Sequence, residues 1–117
     1  MALSERRGIT IHRIYNTLRN NVARKYYLVS YDIAHPKRLR RVARVLEGFG
    51  YRIQFSVFQC PLDDLRLERL KADLAPEINS DEDQVLIVCL GPESEQTFNR
   101  FDWVGRPYHA AGRVTII

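Results

Sequence analysis

Asp32 and the cations that follow it are the residues of this chain best suited, by type and spacing, to do chemistry. Asp32 closes the apolar run Tyr26-Tyr-Leu-Val-Ser-Tyr-Asp32, and Ile33-Ala34-His35-Pro36 leads from it into Lys37, Arg38, Arg40, Arg41 and Arg44. A carboxylate delivered at the end of a strand, with guanidinium groups just beyond it, predicts a site for a divalent metal and a phosphate. Hard cations take oxygen ligands, and the planar guanidinium fork matches phosphate oxygens. The five cations have only Glu47 for local relief. Like charges at neighbouring helical positions destabilise unless an anion offsets them, which favours a phosphate-contacting helix over a merely solvated face.

Other groups of chemistry-bearing residues are better explained by structure. Asp63-Asp64 sets two carboxylates side by side, but at the start of a helical pattern, where Asp is a common cap. Asn79-Ser-Asp-Glu-Asp83 lacks calcium-loop spacing and reads as a solvated polar turn. Cys60 and Cys89 lack the short spacing of a metal knuckle or redox pair, and both read as buried thiols of a cytoplasmic protein. His12 reads as polar surface and His109 as an ordinary loop histidine.

The elements that must position Asp32 follow from periodicity. Residues 26–32 alternate as a buried strand, with Leu28 and Ser30 opposite Tyr27, Val29 and Tyr31. Pro36 suits the first turn of a helix running to about Gly48, whose buried side is Leu39, Val42, Ala43 and Leu46. Tyr51-Arg-Ile-Gln-Phe-Ser-Val-Phe-Gln-Cys60 is β-rich, and its pattern fits either one bent strand or a tight hairpin near Phe55-Ser56, with no Gly, Asn or Pro to mark a turn. Pro61-Leu62-Asp63-Asp64 opens a second helix with the stripe Leu67, Leu70 and Leu74. Residues 84–90 are apolar enough for a central strand. Residues 91–112 read as irregular, anchored by Phe98, Phe101, Trp103 and Tyr108, and Arg113-Val-Thr-Ile-Ile117 reads as a short terminal strand needing a sheet edge. Ahead of all this, residues 1–24 form a basic extension in which Ile11, Tyr15, Leu18 and Val22 predict a helix over about 11–23, packed on its own domain.

With 117 residues and 45% hydrophobic content, the chain supports one packed core but not two, so residues 25–117 are expected to form a single domain. No apolar run approaches the roughly 20 residues of a membrane-spanning helix, and Arg6-Arg7 lacks the sustained apolar segment of an export signal, so no membrane partner is expected. The net charge of +4 is unevenly spread. Residues 1–60 hold twelve Lys or Arg against three acids, a net of +9, and residues 61–117 hold six against eleven, a net of −5. A basic half points to a polyanionic partner.

The order strand, helix, strand or hairpin, helix, strand fits an α+β two-layer sandwich of ferredoxin-like type, with two helices on an antiparallel sheet. Within that frame, Tyr-Leu-Val-Ser-Tyr-Asp-Ile, Lys-Arg-Leu-Arg-Arg-Val-Ala, Gly-Tyr-Arg-Ile-Gln-Phe-Ser-Val-Phe-Gln-Cys and the acidic turn before Val85-Leu-Ile-Val resemble the CRISPR-associated Cas-two family over residues 26–90. The resemblance implies a homodimer in which the C-terminal strand, here residues 113–117, joins the partner's sheet. It implies that Asp32 faces its twin across the dimer axis and that the pair holds Mg2+ or another divalent metal. Arg41 and Arg52 match basic positions of the family and, with Arg38, are the nucleic-acid-binding candidates; Tyr31, Ser56 and Phe58 resemble its supporting motif residues.

Two functions follow from that resemblance. One is a metal-dependent endonuclease hydrolysing phosphodiester bonds in RNA or double-stranded DNA and taking part in spacer acquisition. The other is a non-catalytic dimeric scaffold that binds duplex DNA between Cas-one integrase subunits. A carboxylate facing its twin favours the enzyme, since a scaffold has no need of one. A toxin-like ribonuclease of related fold and a ferredoxin-like module unrelated to nucleic acid are weaker readings.

Overall fold

The computed structural model describes residues 23–106. The expected N-terminal helix, the terminal strand, Tyr108 and His109 lie outside the described residues. In chain order the elements are β1 (Lys25–Asp32), α1 (Pro36–Glu47), β2 (Tyr51–Gln54), β3 (Val57–Leu62), α2 (Asp64–Leu74) with a 3-10 turn at Ala75–Glu77, β4 (Gln84–Pro92) and a one-turn helix α3 (Glu95–Phe98). The strands form one antiparallel sheet in the order β2-β3-β1-β4. Helices α1 and α2 cover one face, giving the ferredoxin-like α+β sandwich.

β1 alternates as its sequence predicts. Tyr27, Val29 and Tyr31 are buried under the helices, whereas Asp32 is exposed. They meet Phe58, Cys60 and Leu62 of β3, Val42 and Leu46 of α1, and Leu70 and Leu74 of α2 in one core. Each such side chain, fully buried, contributes about 1.5–3 kcal/mol. Gly50 links α1 to β2 where only glycine fits, because a Cβ there would lie 2.7 Å from the Cys60 Cα and closer still to the Gln59 carbonyl.

The β-rich stretch after α1 resolves as a hairpin. Strands β2 and β3 turn at Phe55-Ser56, and a register shift between Arg52 and Gln54 puts Arg52 opposite Phe58. The turn needs no glycine because other groups hold it: the Phe55 carbonyl accepts from Arg52 Nη1 (2.7 Å) and the Tyr31 hydroxyl (3.1 Å), and Tyr31 N donates to the Ser56 carbonyl (3.1 Å). Pro61 and Leu62, expected to open α2, instead complete β3, and the helix begins at Asp64.

Three expectations need correction. β4 lies at the edge of the described sheet and not at its centre: Val85 and Ile87 pack on the core, but Leu86 (53%) and Val88 (38%) are exposed on the other face. An apolar strand reads the same in sequence whether helices or another surface cover its second face. Residues 91–106 are not wholly irregular, since Ser94 caps α3 by accepting from Thr97 N. Cys60 is buried as expected, but Cys89 is exposed near the end of the edge strand. Burial pushes the Cys60 thiol up to about 12. Iodoacetamide at pH 8 is therefore expected to alkylate Cys89 and spare Cys60 in the folded protein, as intact-mass and peptide mapping would read; equal labelling of both would contradict this packing.

Candidate active site

Asp32 stands at the rim of the sheet because β1 ends there. Its last pair is with Gln84 of β4, whereas on the other side β1 leaves β3 at Ser30↔Val57. By strand alternation the side chain points away from the helices, on the face that carries Leu28 and Ser30. Leu86 and Val88 pair with Ser30 and Leu28, so they share that face with Asp32. It is exposed, and among the described residues no three His, Cys, Asp or Glu side chains converge to hold a metal ion. Its oxygen donors suit Mg2+, but one carboxylate is half a site; a second from another copy of the chain would give the ion two, with water filling the remaining positions.

Helix α1 starts four residues later. Pro36 occupies its first turn, and His35 caps it through Nδ1, which accepts from Lys37 N (3.1 Å). Lys37, Arg40, Arg41 and Arg44 follow at i, i+3, i+4 and i+7, an exposed cationic stripe with no ion-pair partner among the described residues. Arg41 and Arg44 also line an open groove with Val45, Pro76 and Glu77. Cations left unpaired on one face keep their charge available to phosphates. Replacing Arg40, Arg41 and Arg44 together by Ala is expected to reduce the slope of log K against log salt by about 0.9 per lost phosphate contact on duplex DNA, with little change in thermal midpoint. An unchanged slope in a salt titration would remove the stripe from the interface.

Arg38 does not belong to that stripe. Its Nε lies 2.7 Å from Asp83 Oδ2 and its Nη2 2.9 Å from Glu82 Oε1, with the Arg38 side chain 23% exposed and that of Asp83 buried. The expectation that Glu47 alone relieves the helix, and that residues 79–83 form a merely solvated turn, is corrected here. Glu47 instead lies near Arg52, at 3.9 Å. Asp83 also accepts from Asn79 N (2.8 Å) and Ala34 N (2.9 Å). The Arg38 guanidinium, with these two N–H groups, holds the Asp83 carboxyl well below the usual carboxylate range. Its contribution to stability is therefore complete above about pH 4 and declines as the pH falls through that range toward its own depressed value. Nothing in the sequence reading singled out Asp83; the signal available was an acid immediately before a strand, too common to stand out.

The remaining candidates gather on the helix side of the sheet. Arg52 lies over the rings of Phe58 (5.1 Å) and Phe55 (5.8 Å) while donating to the Phe55 carbonyl. Tyr31 donates to the same carbonyl and packs on Phe58 at 6.2 Å, and burial pushes its hydroxyl above its ordinary value. Ser56 is in the turn itself, and Phe58 is fully buried. Tyr31, Arg52, Ser56 and Phe58 thus brace the hairpin beside Asp32, which projects from the opposite face.

The family model for CRISPR-associated protein Cas2 matches residues 25–97, well over half of the chain. The chain belongs to the Cas2 family. Among curated Cas2 proteins it is similar to the one named CRISPR-associated endoribonuclease Cas2 of Geobacter sulfurreducens, with 38% identity over 91 residues covering 78% of this chain and 95% of the relative. The Rhodospirillum rubrum protein named CRISPR-associated endoribonuclease Cas2 1 is 43% identical over 79 residues, covering 68% and 76%. The crystal structure of Streptococcus pyogenes Cas2 at pH 6.5 superposes with a TM-score of 0.62 at 30% identity, covering 68% of this chain and 99% of that one. A chain of the partial Cas6-RT-Cas1–Cas2 complex shares the fold, with a TM-score of 0.58 at 23% identity over 80% of this chain and 96% of that one. The match begins with β1 and ends in α3, so the whole Asp32 rim, α1 and the hairpin lie within the Cas2 core.

Proposed function

We propose that this Cas2 protein is a metal-dependent endonuclease that hydrolyses phosphodiester bonds in RNA or double-stranded DNA as a homodimer and takes part in spacer acquisition. The observation that carries the reading is an exposed carboxylate, Asp32, at the end of a buried strand, followed by a helix whose cationic stripe has no ion-pair partner among the described residues. The relatives named endoribonucleases support the hydrolytic class. The exposed sheet face with Leu86 and Val88 supports a second copy stacked on it, and residues 113–117 would add to the partner's sheet.

In such a dimer Asp32 of each copy would hold a divalent metal, usually Mg2+. That ion would supply an activated water and offset charge on the attacked phosphate. Arg41, with its stripe neighbours, holds the nucleic-acid backbone. Arg52, together with Tyr31, keeps the hairpin fixed beside that rim. Arg38 acts on nucleic acid only through the placement of the segment after Asp32.

A second reading is a scaffold that binds duplex DNA between Cas-one integrase subunits, favoured by the observation that no three His, Cys, Asp or Glu side chains gather into a metal site among the described residues. The test compares wild type with Asp32→Ala, both verified as folded dimers, on single-stranded RNA and duplex DNA with Mg2+ or chelator. Cleavage requiring both Asp32 and metal is the expected result. Salt-dependent duplex binding by both proteins, with no cleavage by either, would overturn the enzyme and leave the scaffold.

A further inference from the structure

We propose that Asp83 is a positioning residue for Asp32, holding the end of β1 in place through the Ala34 amide. The inference rests on the reading in which Asp32 is the metal-holding carboxylate. Asp32 is the last residue of β1, and its backbone pairs with a neighbour on the β4 side alone, because β3 has already diverged at Ser30↔Val57. One strand-end pair, Asp32↔Gln84, leaves the following residues free to fray. Asp83 immediately precedes Gln84, and its carboxylate reaches across to Ala34 N, two residues beyond Asp32, so the tie between the two chain segments continues past the ladder. The same carboxylate is locked from every other direction: Oδ2 accepts from Asn79 N and Arg38 Nε, and Oδ1 accepts from Arg38 Nη2 (3.2 Å) as well as from Ala34 N.

That arrangement requires a carboxylate. Both oxygens face only N–H donors, so in Asp83→Asn the amide NH2 meets a donor whichever way it lies. The Arg38 guanidinium serves this tie from α1, and Glu82 takes its outer Nη2. The result is a rigid link from α1 through Asp83 to the backbone beside Asp32. A group that fixes the backbone next to a metal-binding side chain bears on metal affinity as well as on the fold.

The test uses the full-length chain and Mn2+ as the probe, with free Mn2+ followed by electron paramagnetic resonance. Wild type, Asp32→Asn, Asp83→Asn and the double variant are compared well below their thermal midpoints, with circular dichroism confirming that each is folded. Asp83→Asn is expected to weaken Mn2+ binding several-fold and to add nothing further once Asp32 is replaced. A folded Asp83→Asn that binds Mn2+ as tightly as wild type overturns the proposal and leaves Asp83 a clamp of the fold alone. Wild type binding no more Mn2+ than Asp32→Asn would sink the reading of Asp32 itself, a different result that removes both. Should Asp83→Asn not fold, Arg38→Lys keeps both charges but loses the guanidinium fork. It is expected to weaken Mn2+ binding a few-fold with the fold retained, and an unchanged affinity there also overturns the proposal.

Discussion

Asp32→Asn is expected to lower metal-dependent cleavage by roughly 10²–10³-fold, the several kcal/mol that a metal's charge stabilisation supplies to a phosphoryl transition state. The side chain is exposed, so stability should change by no more than about 0.5 kcal/mol. Duplex binding should be retained, because the cationic stripe of α1 is untouched. A mixed dimer of one wild-type and one Asp32→Asn chain carries the sharper expectation. If the site lies across a two-fold axis, a single remaining carboxylate leaves half a ligand set, and the mixed dimer should fall close to the doubly substituted one. Single-turnover cleavage by dimers purified with two different tags would read this. Half of wild-type activity in the mixed dimer would mean that each chain works alone.

The second large effect is on stability. Phe58→Ala should cost about 3–5 kcal/mol, the range for removing a buried phenyl ring, and lower the thermal midpoint by more than about 10 °C. Phe58 is fully buried in β3, beneath the Tyr31 ring and the Arg52 guanidinium. Its loss therefore opens a cavity and unseats the two side chains that hold the Phe55-Ser56 turn. Phe58→Leu, which fills most of the volume, should cost far less and leave the hairpin intact. Denaturant unfolding of both variants separates the contributions; a cost below about 1 kcal/mol for Phe58→Ala would show that this residue's place in the motif is not packing.

How much of this was legible beforehand depended on whether the relevant signal was local. Alternation in residues 26–32 is a period of two written directly in the side chains, and it separated Tyr27, Val29 and Tyr31 from Leu28 and Ser30. The stripe of α1, Pro36 at its start and the Asp63 cap of α2 were legible for the same reason, since each depends on residues within one or two helical turns. The Phe55-Ser56 turn was not, because what holds it comes from Tyr31 of another strand and from the side chain of Arg52, where a sequence reader looks for Gly or Asn.

By itself the sequence determined the ferredoxin-like order of elements, the delivery of one carboxylate at the end of the buried strand and the density of cations on the next helix. Tertiary structure decided which of those cations lack an ion-pair partner among the described residues. Arg38 and Arg41 are indistinguishable three residues apart in the chain, yet one is consumed by Asp83, forty-five positions away, and the other faces open solvent. The same contact turned an acid in a polar turn into a buried clamp, and the edge position of β4 left Cys89 exposed while the sheet face away from the helices left Leu86 and Val88 exposed, where apolarity alone implied burial. Pairing between distant segments and the reach of the helix layer across the sheet are long-range facts. No periodicity within a short window encodes them.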